Sequence, residues 1–289
     1  MPLFDRTVHT QGKLAAGPTL LLATDPGDPL IDTARLYDPQ LRTWHGRLVF
    51  GNGVLLFGPV ILTPKLIDQA GLPASAAVAW YAAAALQRHG ERRPDDAKHA
   101  DGECLVLGLA ARLGGSVHPW PPLGKPALAA SVYSERPLDP DEVVRVLRPY
   151  AGGDVGVEDA KADTYAISGQ HAVFYTAYCS PRLYSATLEP PALGAMRKGP
   201  LHHWNLNTGI HAGAAHPELR QKVASGALAL AMAAGGVAVD MCGFRFEAPE
   251  ELRLVGDPTR ALRVRPRRPA RPTAAGTPAG GPGSGPRPA

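Results

Sequence analysis

The sequence predicts an α+β protein in which one order of elements, strand–helix–strand–strand–helix–strand, occurs twice. Apolar runs of strand length alternate with helical segments that have capping and stop residues, and glycine-containing turns join neighbouring strands. A Pro-rich linker, residues 119–126, separates the two series. With 289 residues, 45% of them hydrophobic, the chain can bury a large core.

The first unit covers residues 19–118 and follows an N-terminal extension, residues 1–18. Asp38-Pro39 shortens its first helix, because a residue before proline disfavours helical dihedrals, and Gly51-Asn52-Gly53 predicts a hairpin. The predicted elements are the strand TLLLAT (19–24), a helix in DPLIDTARLYDPQL (28–41), the strands GRLVF (46–50) and VLLFGPVIL (54–62), the helix LPASAAVAWYAAAALQRHG (72–90) and the strand ECLVLGLAARLG (103–114).

The second unit covers residues 127–257. Asp139 is a predicted N-cap, followed by Pro140 at the first helical position and Glu142 three residues after the cap. The predicted elements are the strand ALAASVYS (127–134), the helix PLDPDEVVRVLRPYAGG (137–153), a hairpin of TYAI (164–167) and HAVFYTAYC (171–179), the helix HPELRQKVASGALALAMAAGG (216–236) and the strand VAVDMCGF (237–244).

Two such units in one chain resemble a tandem pair of ferredoxin-like folds. The resemblance is one of topology, and because this fold serves many functions it implies no activity. The second unit differs from the first by an insert, residues 180–215, which is long for a connection in a compact domain. Its apolar residues, among them Tyr184, Trp204 and Ile210, indicate an ordered and functional segment.

Within the insert, PLHHWNLNTGIHAGAAHPE (200–218) contains four of the ten histidines. If the stretch is extended, His203, Asn205 and Asn207 share one face, while Trp204 and Leu206 lie on the other and are buried. The alternative is a metal site formed by His202, His203, His211 and His216. That site needs a sharp bend, because a straight strand separates His203 from His211 by about 26 Å.

Asp240 interrupts the apolar strand VAVDMCGF. If Val237 and Val239 meet the helices, Asp240 lies on the open face of the sheet, where an unpaired carboxylate is costly. The predicted ligand-binding residues are therefore His203, Asn205, Asn207, Asp240, Tyr175 and Tyr133. A solvent-facing role, or packing between the units, is the alternative for this carboxylate.

The three cysteines, Cys104, Cys179 and Cys242, are scattered singly along the chain. Their spacing contains no disulfide framework or paired zinc motif, which fits a reducing compartment. Cys179 ends a predicted strand and becomes a candidate nucleophile if a histidine of the insert folds over it. A buried, unreactive cysteine is the alternative.

Residues 258–289 are rich in Pro, Gly, Ala and Arg, which predicts a disordered tail. The tail holds seven arginines and no acidic residue, so the formal charge of +4 becomes −3 for residues 1–259. The pI therefore does not indicate a specific nucleic-acid surface, although the tail is suited to weak contacts with anionic lipid or nucleic acid. The longest weakly polar run, 226–239, is too short to span a bilayer, so we expect a cytoplasmic protein.

These patterns favour a soluble, bacterial-type binding or protein-interaction protein that uses the insert over the second sheet. The expected partner is an unspecified protein or small molecule, and no cofactor is predicted. The alternative is a metal- or haem-dependent enzyme that uses the insert histidines. No complete catalytic constellation is recognisable, and GGDVG (152–156) lacks the context of a phosphate-binding loop.

Overall fold

The computed structural model describes residues 6–84, 95–119, 128–183, 189–208 and 217–253. These residues form two six-stranded antiparallel sheets and six α-helices, all within one compact unit that spans residues 1–257. The predicted tail, residues 258–289, lies outside the described residues, and the predicted domain boundaries stay predictions. Within the described ranges, no helix has the length and apolar character needed to cross a membrane.

The first sheet has the strand order β2-β3-β4-β5-β1-β6. Part of the predicted N-terminal extension is helical and contributes the buried side chain of Leu14 to the core. The elements are α1 (Arg6–Ala16), β1 (Thr19–Leu22), α2 (Asp28–Tyr37), β2 (Arg42–Trp44), β3 (Arg47–Val49), β4 (Val54–Ile61), α3 (Pro64–Ala70), β5 (Val78–Ala84), α4 (Asp95–Leu113) and β6 (Ser116–His118).

The second sheet has the strand order β12-β7-β11-β10-β9-β8. Its elements are β7 (Ala129–Ser134), α5 (Pro140–Ala151), β8 (Gly156–Glu158), β9 (Thr164–Ser168), β10 (Tyr175–Cys179), β11 (His202–Asn207), α6 (Pro217–Ala234) and β12 (Val237–Asp240). Two short 3₁₀ helices, Pro191–Lys198 and Pro249–Glu251, complete the described part of this half.

Several local predictions are confirmed. β1, α2 and the β3–β4 hairpin lie where the first series predicts them, as do β7, α5, the β9–β10 hairpin, α6 and β12 in the second. Asp139 caps α5 by accepting a hydrogen bond from the amide of Asp141 (2.9 Å). The helices among them have start or stop residues, such as Asp139 before α5 and Gly235 after α6, which make them predictable from local sequence.

Two predictions in the first half are wrong. Residues 78–84, predicted as part of a helix, form β5, and residues 103–113, predicted as a strand, belong to α4. The alanines of β5 favour a helix locally, but pairing with β1 and β4 on both sides decides in favour of the strand. In α4 the apolar run is buried so completely that its periodicity does not distinguish a helix from a strand.

Part of the predicted insert, residues 180–215, belongs to the sheet itself. Its residues 202–207 form β11, which pairs with β10 on one side and β7 on the other and so lies inside the sheet. Trp204 and Leu206 are fully buried, as their alternation predicts, and these anchors draw the segment into the core. The expectation of a separate layer over the sheet is therefore wrong for this stretch.

Helices α5 and α6 cover one face of the second sheet. Trp204, Leu206 and Val132 point into this helix-covered core, where they meet Leu147 and Val223. The opposite face, here called the open face, is covered at one end by the 3₁₀ helix Pro191–Lys198. That contact buries Ala192, Leu193, Leu201, Tyr133 and Val239 together.

The two halves meet at a junction formed by α4 and the turn that follows β12. Phe244 is fully buried in the core of the first half, where its ring contacts that of Tyr37 at a centroid distance of 5.1 Å. Arg112 of α4 forms an ion pair with Asp240 across 2.8 Å, and its guanidinium lies 4.5 Å from the centre of the Phe244 ring. The last residues of the second series thus complete the core of the first.

Candidate functional site

The open face carries a row of uncharged hydrogen-bonding side chains, Ser131, His203, Asn205 and Asn207, which we call the polar row. Antiparallel pairing places Ser131 of β7 opposite Asn205 of β11, so their side chains project from the same face. Asn205 Nδ2 donates to Ser131 Oγ (3.3 Å), and Asn207 Nδ2 donates to Asn205 Oδ1 (3.0 Å). His203 Nε2 lies 3.2 Å from the same serine oxygen, so the four groups form one chain.

His203 is electrically neutral at physiological pH. Desolvation by burial lowers its pKa from 6.5 to about 4. Its ring stacks on Tyr133 of the neighbouring strand, with the centroids 4.6 Å apart and an interplanar angle of 18°. The imidazole therefore offers one donor and one acceptor rather than a positive charge.

The centre of the open face contains no Asp, Glu, Lys or Arg at the described positions of β7, β11 and β10. The face positions on these strands are Ala129, Ser131, Tyr133, His203, Asn205, Asn207, Tyr175, Ala177 and Cys179. The neighbours opposite Asn205 are the small residues Ser131 and Ala177, so its half-buried amide stays accessible between larger side chains. Tyr175 is 39% exposed at the end of the face where β10 begins.

Five of the six predicted site residues lie on this face: Tyr133, Tyr175, His203, Asn205 and Asn207. Ser131 was not predicted, although its alternation with Tyr133 along ASVYS is the signal that places it there. The alternation in β11 predicts which side chains share a face, and pairing with β7 and β10 decides how they align with their neighbours.

The expectation that Asp240 points to the open face is wrong. Val239 packs with the open-face residues, so Asp240 projects from the other face, where Arg112 pairs with it. Its Oδ1 accepts hydrogen bonds from the amides of Cys242 and Phe244, each at 2.9 Å. Complete burial raises the pKa of Asp240 even though Arg112 and these amides act in the opposite direction. The carboxylate therefore orders the turn at the junction.

The histidines of the stretch do not converge as a metal site within the described residues. His202 and His203 are adjacent in β11 and project to opposite faces, so one ion cannot bind both side chains. His211 and His216 lie outside the described residues. Among the residues that the structure describes, no group of three or more His, Cys, Asp or Glu side chains is placed to hold a metal ion.

An aromatic cluster anchors β11 from the helix-covered side. The ring nitrogen of Trp204 donates to the hydroxyl of Tyr165 (2.9 Å), and Tyr165 stacks on Tyr178 with centroids 4.5 Å apart. The Tyr178 hydroxyl lies 2.7 Å from Nδ1 of His202. Burial raises the pKa of both tyrosines and lowers that of His202, so these groups are neutral near pH 7. The cluster fixes the strand that carries the polar row.

Cys179 lies directly opposite His203 on the neighbouring strand, as a thiol–imidazole pair requires. Burial, with a smaller effect of Asp163, raises the pKa of this thiol. Its sulfur is oriented toward the carbonyl of Ser180 at 3.6 Å. A protonated thiol beside a neutral imidazole is a poor nucleophile, so the arrangement favours a packing role.

No protein-family model, curated protein or solved structure significantly matches this chain.

Proposed function

We propose that this protein is a binding protein whose recognition surface is the open face of the second sheet. The observation that carries the proposal is the polar row, a continuous chain of uncharged side chains on the part of the sheet that α5 and α6 do not cover. Binding sites combine apolar walls with a few convergent polar groups. Here Tyr175, 39% exposed, supplies aromatic surface at one end of the row, and the buried ring of Tyr133 supports His203 at the other.

The chemistry of the row favours a neutral polar ligand. Asn205 and Asn207 offer amide donors and acceptors, and the neutral imidazole of His203 adds to them. A strongly charged ligand finds no countercharge at the described positions of the three central strands. Ligands with amide, hydroxyl or heterocyclic groups fit this pattern, whether they belong to a small molecule or to an exposed protein segment.

The chain between β10 and β11 supplies a wall for this surface. Its 3₁₀ helix, Pro191–Lys198, packs Leu193 against Tyr133 at one end of the open face. Because Tyr133 in turn stacks on His203, this wall helps to fix the orientation of the His203 ring in the polar row. The described part of the predicted insert thus supplies both a border of the surface, the 3₁₀ helix, and a central strand of its floor, β11.

Ligand binding by the Asn205→Leu variant tests this proposal. The probes are neutral sugars, nucleosides and N-acetylated amino-acid amides, screened by saturation-transfer NMR and followed by calorimetry. We expect at least one class of neutral probe to bind the full-length protein. Asn205→Leu should weaken that binding about tenfold, because the variant lacks the amide that would hydrogen-bond to the probe. Gln221→Leu makes the same kind of change on the exposed surface of α6 and serves as the control. Binding by none of these probes, or equal binding to Asn205→Leu, would contradict the proposal.

We also infer that the two halves are copies of one ferredoxin-like unit. The central strands of the first sheet have the order β6-β1-β5-β4, and those of the second have the order β12-β7-β11-β10. Both orders correspond to the last, first, third and second strands of a βαββαβ unit. Each sheet also has a further strand pair beside the second strand of the unit: β2-β3 lies next to β4, and β8-β9 lies next to β10. This arrangement supports duplication with parallel elaboration of both copies.

A further inference from the structure

Two of the three cysteines meet at the junction between the halves. Cys104 lies on α4, and Cys242 lies in the turn after β12, yet the two thiols hydrogen-bond to each other. Both pack into the core cluster that contains Phe244 and Tyr37. Neither side chain belongs to the polar row, so this pair is independent of the proposed binding surface.

The surrounding contacts fix the position of this pair. α4 approaches the turn so closely at Gly108 that a Cβ atom there would lie 2.1 Å from the ring of Phe244. One helical turn further on, Arg112 binds Asp240, and one turn earlier Cys104 meets Cys242. Asp240 accepts a hydrogen bond from the amide of Cys242 at 2.9 Å, which fixes the backbone that carries the buried thiol. The face of α4 that joins the halves, with Gly108 and Arg112, thus also carries the cysteine that meets Cys242.

The two thiols differ in accessibility and in acidity. Cys104 is half-buried, whereas Cys242 is buried. The hydrogen bond from Cys242 lowers the pKa of Cys104, and together with burial it raises that of Cys242 well above its usual range. The more accessible sulfur, Cys104, is therefore placed to meet an oxidant first, and the buried sulfur of Cys242 is its neighbour. Reactive dithiols combine an attacking and a resolving cysteine in this way.

We propose that Cys104 and Cys242 form a peroxide-oxidisable dithiol that closes to a disulfide between the two halves. The Cys104 thiolate attacks one oxygen of hydrogen peroxide, the O–O bond breaks, and the departing hydroxide takes up a proton to become water. The sulfur of Cys242 then attacks the resulting sulfenic acid and forms the S–S bond. The sulfenic hydroxide leaves with the thiol proton as a second water. Two thiols lose two electrons, and one peroxide is reduced to two water molecules.

Oxidation of the native full-length protein tests the pairing. After treatment with hydrogen peroxide, remaining thiols are alkylated under denaturing conditions and peptides are mapped by mass spectrometry without reductant. We expect a Cys104–Cys242 cross-linked peptide, lighter by two hydrogen atoms than its separate parts and released by dithiothreitol. Cys179 should remain alkylated, and the Cys179→Ser variant should give the same cross-link. Three alkylated cysteines, or cross-links only through Cys179, would overturn the proposal.

The order of the two sulfurs has its own test. In Cys242→Ser, peroxide should leave a sulfenic acid on Cys104 that dimedone labels, because the resolving thiol is gone. In Cys104→Ser, Cys242 should remain unlabelled, since its side chain is buried and out of reach of peroxide and dimedone. Circular dichroism confirms that each variant is folded before treatment. Dimedone labelling of Cys242 and none of Cys104 would contradict the assigned roles.

Discussion

At the scale of single residues, His203 shows how a side chain acquires its chemistry from its surroundings. Its alternation with Trp204 predicts the face on which it lies, but not the Tyr133 ring that stacks on it. Desolvation then lowers its pKa to about 4, which keeps it neutral beside Asn205 and Ser131. His202, on the opposite face, instead has its Nδ1 2.7 Å from the hydroxyl oxygen of Tyr178. The role of each imidazole follows from its face and its neighbours.

The lowered pKa of His203 predicts a loss of stability in acid. Because the folded pKa, about 4, lies below the ordinary 6.5, the unfolded chain binds more protons between these values. The stability that the neutral imidazole of His203 contributes is therefore fully present above pH 6.5. The free energy of unfolding then falls by up to about 3 kcal/mol as the pH falls toward 4. Urea unfolding at pH 7 and pH 4 measures the change. The His203→Gln variant has no titrating group at this position. Between pH 7 and pH 4 its free energy of unfolding should therefore fall by about 3 kcal/mol less than that of the wild type. An equal loss in both proteins would refute the prediction.

At the scale of secondary-structure elements, local capping signals and long-range pairing have different weight. α5 begins where Asp139 and Pro140 predict, because the cap is a contact between residues two positions apart. β5 is a strand although its alanines favour a helix, because it pairs with β1 on one side and with β4 on the other. Local signals therefore predict α5, while β5 depends on partners that are distant in sequence.

The cap of α5 gives a prediction at this scale. Asp139→Ala removes the acceptor for the amide of Asp141 and should lower the free energy of unfolding by about 1 kcal/mol. Asp139→Asn keeps an oxygen at the same place and should remain close to the wild type. Chemical denaturation of the three proteins at pH 7 measures the difference. If Asn and Ala substitutions had equal effects, the side-chain cap would not be the source of the stability.

At the scale of the whole molecule, the turn after β12 joins the two halves. It inserts Phe244 into the first core and brings Asp240 against Arg112, with both side chains almost completely buried. A buried ion pair contributes little net stability, but breaking one partner leaves an uncompensated buried charge. The junction is therefore sensitive to single substitutions, and it is also the place where the Cys104–Cys242 pair forms.

Substitutions in this ion pair test the junction. Asp240→Asn keeps the oxygen that accepts from the amides of Cys242 and Phe244, but it leaves Arg112 buried without a countercharge. We expect a loss of about 3–5 kcal/mol in the free energy of unfolding. Adding Arg112→Met should recover most of that loss, because the unpaired charge is then removed. A double variant no more stable than Asp240→Asn, by denaturant unfolding, would show that charge burial is not the cause.

By itself, the sequence determined the features that depend on neighbouring residues. These include the capped helix α5, the β3–β4 hairpin at Asn52 and the alternation that places His203, Asn205 and Asn207 on one face. Such features depend on contacts a few positions apart and on the two-residue period of a strand. They yielded most of the candidate surface.

Only the tertiary structure decided which partners these elements meet. It placed β11 inside the sheet, directed Asp240 to Arg112 and brought Cys104 to Cys242, although these cysteines are isolated in the sequence. The physical reason is that a strand has two equivalent faces until helices cover one of them, and that its pairing partners are set by long-range packing. The local pattern therefore predicts which side chains lie together, and the packing decides what they face.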